Sequence, residues 1–317
     1  MAFSAFPNGA WDSEHERYLA SHCYSQIAKA PFGFLAWSCM EVLLTMSPYT
    51  NTMRTERKTE FGMLSNLLGR VAVVTGGAGA IGHAVAEAMA RAGATVIAVD
   101  RTIGDNHQSA SVRTIAWESH AMDVTSKEDI EAIFANIAKR HGALDILVNA
   151  AGIVSFGAAR SLDEAEWDRV LDINLKGTFL CCQAAMPYMI ARRFGRIVNL
   201  GSVVGKNAGN ARPWINAAEL GSAGNVAYGV SKAGVHILTA FLAKELAADG
   251  VTVNAVAPGP IATGMTQTFP EALRALIPVG RMGNVEDVAR AVVFLAAPNA
   301  GFISGEILDI NGGMLCD

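Results

Sequence analysis

Ser202, Tyr228 and Lys232 are residues whose types and spacing could move a proton on or off an alcohol oxygen. Tyr228 and Lys232 form a Tyr-x-x-x-Lys pair, and i,i+4 spacing on a helix puts both on one face. A tyrosine hydroxyl titrates at about 10 and is a poor base at neutral pH. A Lys232 ammonium beside it, helped by the positive ring of an oxidised nicotinamide, is expected to stabilise the phenolate and lower that value. Tyr228 then takes a proton from an alcohol as hydride leaves, or gives one to a ketone. Ser202, just beyond the apolar run 196–201, is positioned to hydrogen-bond and orient the reacting oxygen. Taken alone, the Tyr–Lys pair is equally a surface ring beside a snorkelling lysine. The chemistry needs no metal, and no His/Cys/Asp cluster suggests one.

Groups of this kind need a scaffold, and the sequence supplies a parallel one. From about residue 66, apolar runs alternate with amphipathic stretches: strands at 70–75, 94–100, 144–149, 196–201, 251–256 and 307–310, with helices at about 81–89, 126–140, 163–193 and 228–249. β-branched runs such as 70–75 suit strands buried on both faces. The pattern predicts an α/β fold, a three-layer doubly wound parallel sheet. The first strand runs into Thr75-Gly76-Gly77-Ala78-Gly79-Ala80-Ile81-Gly82 and then a helix, where a pyrophosphate can meet backbone N–H groups at the positive end of the helix dipole. A glycine-rich loop can also be a plain tight turn; its place between strand and helix favours the nucleotide reading. Asp100 ends the second strand, 18 residues beyond Gly82. A carboxylate there accepts from the adenosine ribose hydroxyls and repels a 2′-phosphate, which predicts NAD over NADP, although Arg101 next to it could pair with a phosphate.

Composition bounds the rest. Apolar residues make up 51% and charged ones 17%, which fits a well-buried α/β protein rather than a disordered one. A net charge of -4 gives no electrostatic reason for a nucleic-acid partner. The five cysteines lack metal-ligand spacing, and free thiols fit a reducing cytoplasm. No uninterrupted apolar stretch reaches the roughly 20 residues of a spanning helix, so the expectation is a cytoplasmic chain without membrane contact. Residues 1–65 show no clear period and carry Pro7, Pro31 and Pro48; they are expected to be a poorly ordered or loosely docked extension, with Met63 as a rival start and a partner-binding or membrane-contact segment as a further alternative.

The chain from 66 to 317 resembles the short-chain dehydrogenase/reductase family, in the branch with a single Rossmann-fold domain. The matching residues are the glycine-rich turn, Asp123-Val124, Asn149-Ala150-Ala151-Gly152, Asn174, Ser202, Tyr228-Gly229-Val230-Ser231-Lys232, Pro258-Gly259-Pro260-Ile261 with Thr263, and the closing run 303–313. The resemblance implies that Asp123 and Val124 flank the adenine and that 149–152 support the middle of the cofactor. It implies that Lys232 also holds the nicotinamide ribose and that Asn174 anchors a water linking Lys232 to solvent. Pro258, Gly259, Ile261 and Thr263 would contact the nicotinamide end, and the segment to about 283 would form a substrate lid. Read without the family, Asn174 is equally a satisfied polar residue in a helix. A homodimer or homotetramer built partly on the helices at 163–193 and 228–249 is also implied.

Two departures from the family pattern stand out. Ala80 replaces a usual glycine, and Ser202 and Tyr228 lie 26 residues apart, more than is usual. The extra residues hold Asn207, Asn210, Arg212 and Trp214, groups suited to hydroxyls, an anion and a sugar face; a surface decoration or oligomer contact is the alternative. The leading expectation is an NAD(H)-dependent oxidoreductase that interconverts a secondary alcohol and a ketone or lactone, of sugar or polyol type, with substrate loops at 205–222 and 261–283. A 3-oxoacyl-thioester reductase, normally NADPH-linked, is the second reading, and a non-catalytic NAD-binding regulatory protein the third.

Overall fold

The computed structural model describes residues 66–103, 117–209, 213–264 and 271–316. The expectations for residues 1–65 and for Asn210 and Arg212 lie outside these. The described residues all fall in the compact unit Ser65–Asp317.

Seven strands form one wholly parallel sheet: β1 (Val71–Thr75), β2 (Thr95–Asp100), β3 (Glu118–Ala121), β4 (Ile146–Asn149), β5 (Gly195–Leu200), β6 (Val251–Pro258) and β7 (Ile307–Ile310). Their order across the sheet is β3-β2-β1-β4-β5-β6-β7. The order reverses between β1 and β4, and ligands of such sheets bind at that point, beyond the carboxyl ends of the strands.

Alternation along each strand divides the core in two. Val71, Val73, Ile97, Leu147 and Val253 pack under α2 (Lys127–His141), α4 (Gly177–Arg192) and α7 (Val226–Leu246). Ala72, Val74, Val96, Val148 and Val256 pack under α1 (Ala80–Arg91) and α9 (Val285–Ala296). The result is the expected three-layer α/β sandwich. Caps fix several helix ends: Ser126 accepts from Asp129 N at 3.2 Å, and Asn284 and Asp287 form a reciprocal capping box.

The helix expected at 163–193 is interrupted. It is α3 (Glu164–Leu171), one π-helical turn over Asp172–Lys176, then α4. Thr178 Oγ1 donates to the Asn174 carbonyl at 2.8 Å, which satisfies an oxygen the wider turn would leave exposed. The segment after β5 contains two short helices, α5 (Val204–Asn207) and α6 (Ala217–Ala223), the latter capped by Asn216 accepting from Glu219 N at 2.9 Å. A four-residue helix, α8 (Glu271–Arg274), follows β6.

One described helix, Val226–Asp249, is long and apolar enough to cross a membrane by length and composition. Its residues Ala227, Ser231, Val235, Thr239, Leu242 and Leu246 are buried against the rest of the fold, while Val230, Ile237 and Phe241 on its other face are exposed.

Candidate active site

The glycine-rich turn lies at the switch point. Gly76 has φ +68°, and a Cβ there would sit 2.6 Å from Ala151 N, so the turn presses directly on the segment following β4. A Cβ on Gly82 would run into the Gly76 carbonyl. Gly77 N–H donates to Val99 O at 3.2 Å and Ala151 N–H to Thr75 Oγ1 at 3.1 Å, which locks turn, β2 and β4 together. No side chain caps the start of α1, so its first N–H groups remain available to an anion. Ala80 is the exposed first residue of that helix, and its methyl group is tolerated there. This cradle fits a dinucleotide pyrophosphate.

Asp100 reaches over the turn: Oδ2 accepts from Ala78 N at 3.2 Å, while Oδ1 accepts from Thr102 N at 3.0 Å and Thr102 Oγ1 at 3.1 Å. Arg101 beside it is exposed. Asp123 Oδ1 accepts from Thr125 N and Oγ1 at 2.9 and 2.7 Å, bonds that hold its carboxyl below the usual range. Val124 packs where Gly177 leaves room at the start of α4.

Asn149 points into the sheet instead of the cleft. Its amide donates to Asn199 Oδ1 at 2.9 Å and to Cys182 Sγ at 3.3 Å. Ile261 is likewise a core residue, packed with the α9 cluster. Pro258 and Gly259 continue β6 beside β7, with Gly259 N–H donating to Ile310 O at 3.0 Å. Thr263 follows, half-buried.

Ser202, Tyr228 and Lys232 come together at the carboxyl end of β5. Ser202 is buried and hydrogen-bonds the Tyr228 side chain. Lys232 Nζ donates to Leu200 O at 2.6 Å and lies 5.8 Å from the centre of the Tyr228 ring. A Cβ on Gly152 would be 3.2 Å from Asn174 Oδ1 and 3.4 Å from Lys232 Nζ, so the segment after β4 flanks the same spot. Asn174 acts as a bracket: Oδ1 accepts from Ile153 N at 2.8 Å, and Nδ2 donates to Ile153 O at 2.9 Å and Ser231 Oγ at 3.0 Å. Ser231 in turn donates to the Tyr228 carbonyl at 2.7 Å.

The lowering expected for Tyr228 was assigned to Lys232 and an oxidised nicotinamide together; the chain's own groups act on the phenol as follows. Burial pushes the Tyr228 phenol up, and the Ser202 hydrogen bond only partly opposes this. The lysine does not reverse it, since burial also pushes Lys232 down to about 8 and its ammonium is engaged by Leu200 O.

Two of the insertion's polar candidates are among the described residues. Asn207 Oδ1 accepts from Gly209 N at 3.0 Å and closes its own turn. Trp214 is half-buried ahead of α6. Sequence reasoning did not single out Ser231 or His236. Ser231 immediately precedes Lys232 within the Tyr-to-Lys spacing, and His236 lies one further helical repeat beyond Lys232, a periodicity that could have marked it.

A doubly wound sheet with this cradle at its switch point and a Ser–Tyr–Lys cluster across the cleft defines an oxidoreductase of the nicotinamide-dependent Rossmann class. The family described as enoyl-(acyl carrier protein) reductase matches residues 76–315. The 3-oxoacyl-[acyl-carrier-protein] reductase FabG of Vibrio cholerae is 40% identical over 253 residues, covering 78% of this chain and 98% of that protein. The enzyme of the same name from Thermotoga maritima is 37% identical over 258 residues, covering 78% and 99%. The crystal structure of gox2181 superposes with a TM-score of 0.69 at 34% identity, covering 80% of this chain and 98% of that one. This chain belongs to the short-chain dehydrogenase/reductase family.

Proposed function

We propose that the chain reduces a 3-oxoacyl thioester to its 3-hydroxyacyl form with NADH, or runs the reverse oxidation, and that it does so as a homodimer or homotetramer. The observation that carries the reaction class is the hydrogen-bonded contact of Ser202 and Tyr228 with Lys232 behind them. Ser202 Oγ holds the substrate carbonyl oxygen, and Tyr228 gives that oxygen a proton. Lys232, anchored on Leu200 O, holds its positive charge behind the ring, where it stabilises the phenolate left after transfer. A bound nicotinamide supplies the hydride. The substrate class is supported by the names of the relatives that span this domain.

NADH over NADPH is supported by Asp100, whose carboxylate sits on the glycine-rich turn where a 2′-phosphate would add like charge. The assembly is supported by Val230, Ile237 and Phe241, exposed on one face of α7, and by Phe179 on α4. The sugar or polyol reading rested on the insertion, and Asn207 is engaged with Gly209.

The deciding experiment offers the purified chain acetoacetyl-CoA with NADH and with NADPH, alongside a panel of sugars and polyols with NAD. Turnover of the thioester with NADH is the expected result. Turnover of a polyol alone would restore the sugar reading. NADH binding with no turnover on any substrate would favour a regulatory role.

A further inference from the structure

We propose that His236 is a positioning residue that fixes Ser202 by accepting its backbone N–H; the inference rests on the role given to Ser202 above. Tyr228, Lys232 and His236 recur every four residues on α7 and share the face turned to the end of β5. Ser202 N–H donates to His236 Nε2 at 3.3 Å. A backbone N–H can only donate, so Nε2 carries no proton, and the neutral ring bears its hydrogen on Nδ1.

The surrounding bonds show why this contact matters. Gly201 N–H donates to Val256 O at 2.8 Å and Val203 N–H to Pro258 O at 3.0 Å, so the residues on either side of Ser202 are fastened to β6. Val204 N–H turns back to Ser202 Oγ at 3.2 Å. The Ser202 N–H alone among these crosses to α7, the helix that carries Tyr228. It links the two elements whose separation sets the distance from the serine hydroxyl to the phenol. The ring is also fitted to this place: a Cβ on Gly201 would lie 2.6 Å from His236 Cδ2, and one on Gly205 would lie 3.0 Å from Cε1. Glycine at 201 makes room for an imidazole here.

The test exploits side-chain length. The amide oxygen of a glutamine reaches the position of Nε2, whereas that of an asparagine stops near Nδ1. His236→Gln, His236→Asn and His236→Phe are compared for kcat, KM, NADH Kd and Tm in the full chain. The expected result is a loss of kcat of about tenfold for Asn and Phe, with Kd within about twofold of wild type, and recovery of most of that loss by Gln. Equal losses in Gln and Asn, or wild-type kcat in both, would overturn the proposal, and this pair decides it even where the Phe variant fails to fold. Ser202→Ala and Tyr228→Phe run in parallel: turnover surviving in those two would defeat the catalytic reading itself, whichever way the histidine series falls.

Discussion

Burial sets the protonation of both partners in the Tyr–Lys pair, and the consequences can be measured without substrate. The folded Lys232 value of about 8 lies below its ordinary 10.5. Between these limits the unfolded chain binds more protons than the folded one, so stability rises with pH across that window. The penalty is full below the folded value and gone above the unfolded one. Lys232→Met should remove a slope of up to about 1 kcal/mol per pH unit, seen by urea denaturation on either side of pH 8; an unchanged slope would mean that the ammonium is hydrated. Tyr228→Phe should lower turnover by about 1,000-fold while NADH binding, followed by fluorescence titration, survives. Asp100→Ala should shift the NADH/NADPH ratio of kcat/KM towards NADPH by about tenfold or more, and a fixed ratio would remove that residue from cofactor choice. The three polar residues were legible because their types recur at strand ends and helical spacing. The burial of the Tyr228 phenol was not, since desolvation depends on neighbours remote in sequence. The inward turn of Asn149 was hidden for the same reason: its partners Cys182 and Asn199 lie on other elements.

Elements that are continuous β-branched, apolar runs were equally readable. β1 is Val-Ala-Val-Val-Thr and β6 a buried eight-residue run, and both were anticipated. β3 was not, because Glu-Ser-His-Ala offers no β-branched residue, and only pairing with β2 makes it a strand. The π-helical turn was also invisible, since Asp172–Lys176 continues the helical apolar period on both sides. The turn between β1 and α1 gives the prediction proper to this scale. Gly76→Val would place a branched side chain at positive φ against Ala151 and should cost about 3 kcal/mol of stability along with most NADH affinity. Thermal melts and dinucleotide titration check it, and a variant as stable as wild type would show that the turn can open.

For the molecule as a whole, the parallel architecture was legible from the alternation of strands and helices, and the helices proposed for self-association were named from the resemblance, whereas which of their side chains are exposed needed coordinates. Leu171, Leu175, Phe179 and Leu238 line an apolar groove next to α7, away from the Ser–Tyr contact. Phe241→Glu, on the exposed face of that helix, should shift the chain to a smaller species in light scattering while leaving its fold intact; an unchanged mass would place the contact elsewhere. The arrangement of α7 carries one more implication. Its proton donor, its cation and its imidazole ride a single rigid rod, so they arrive and depart in unison. Partial damage by heat or urea should then leave fewer working molecules of undiminished quality, not a population of sluggish ones.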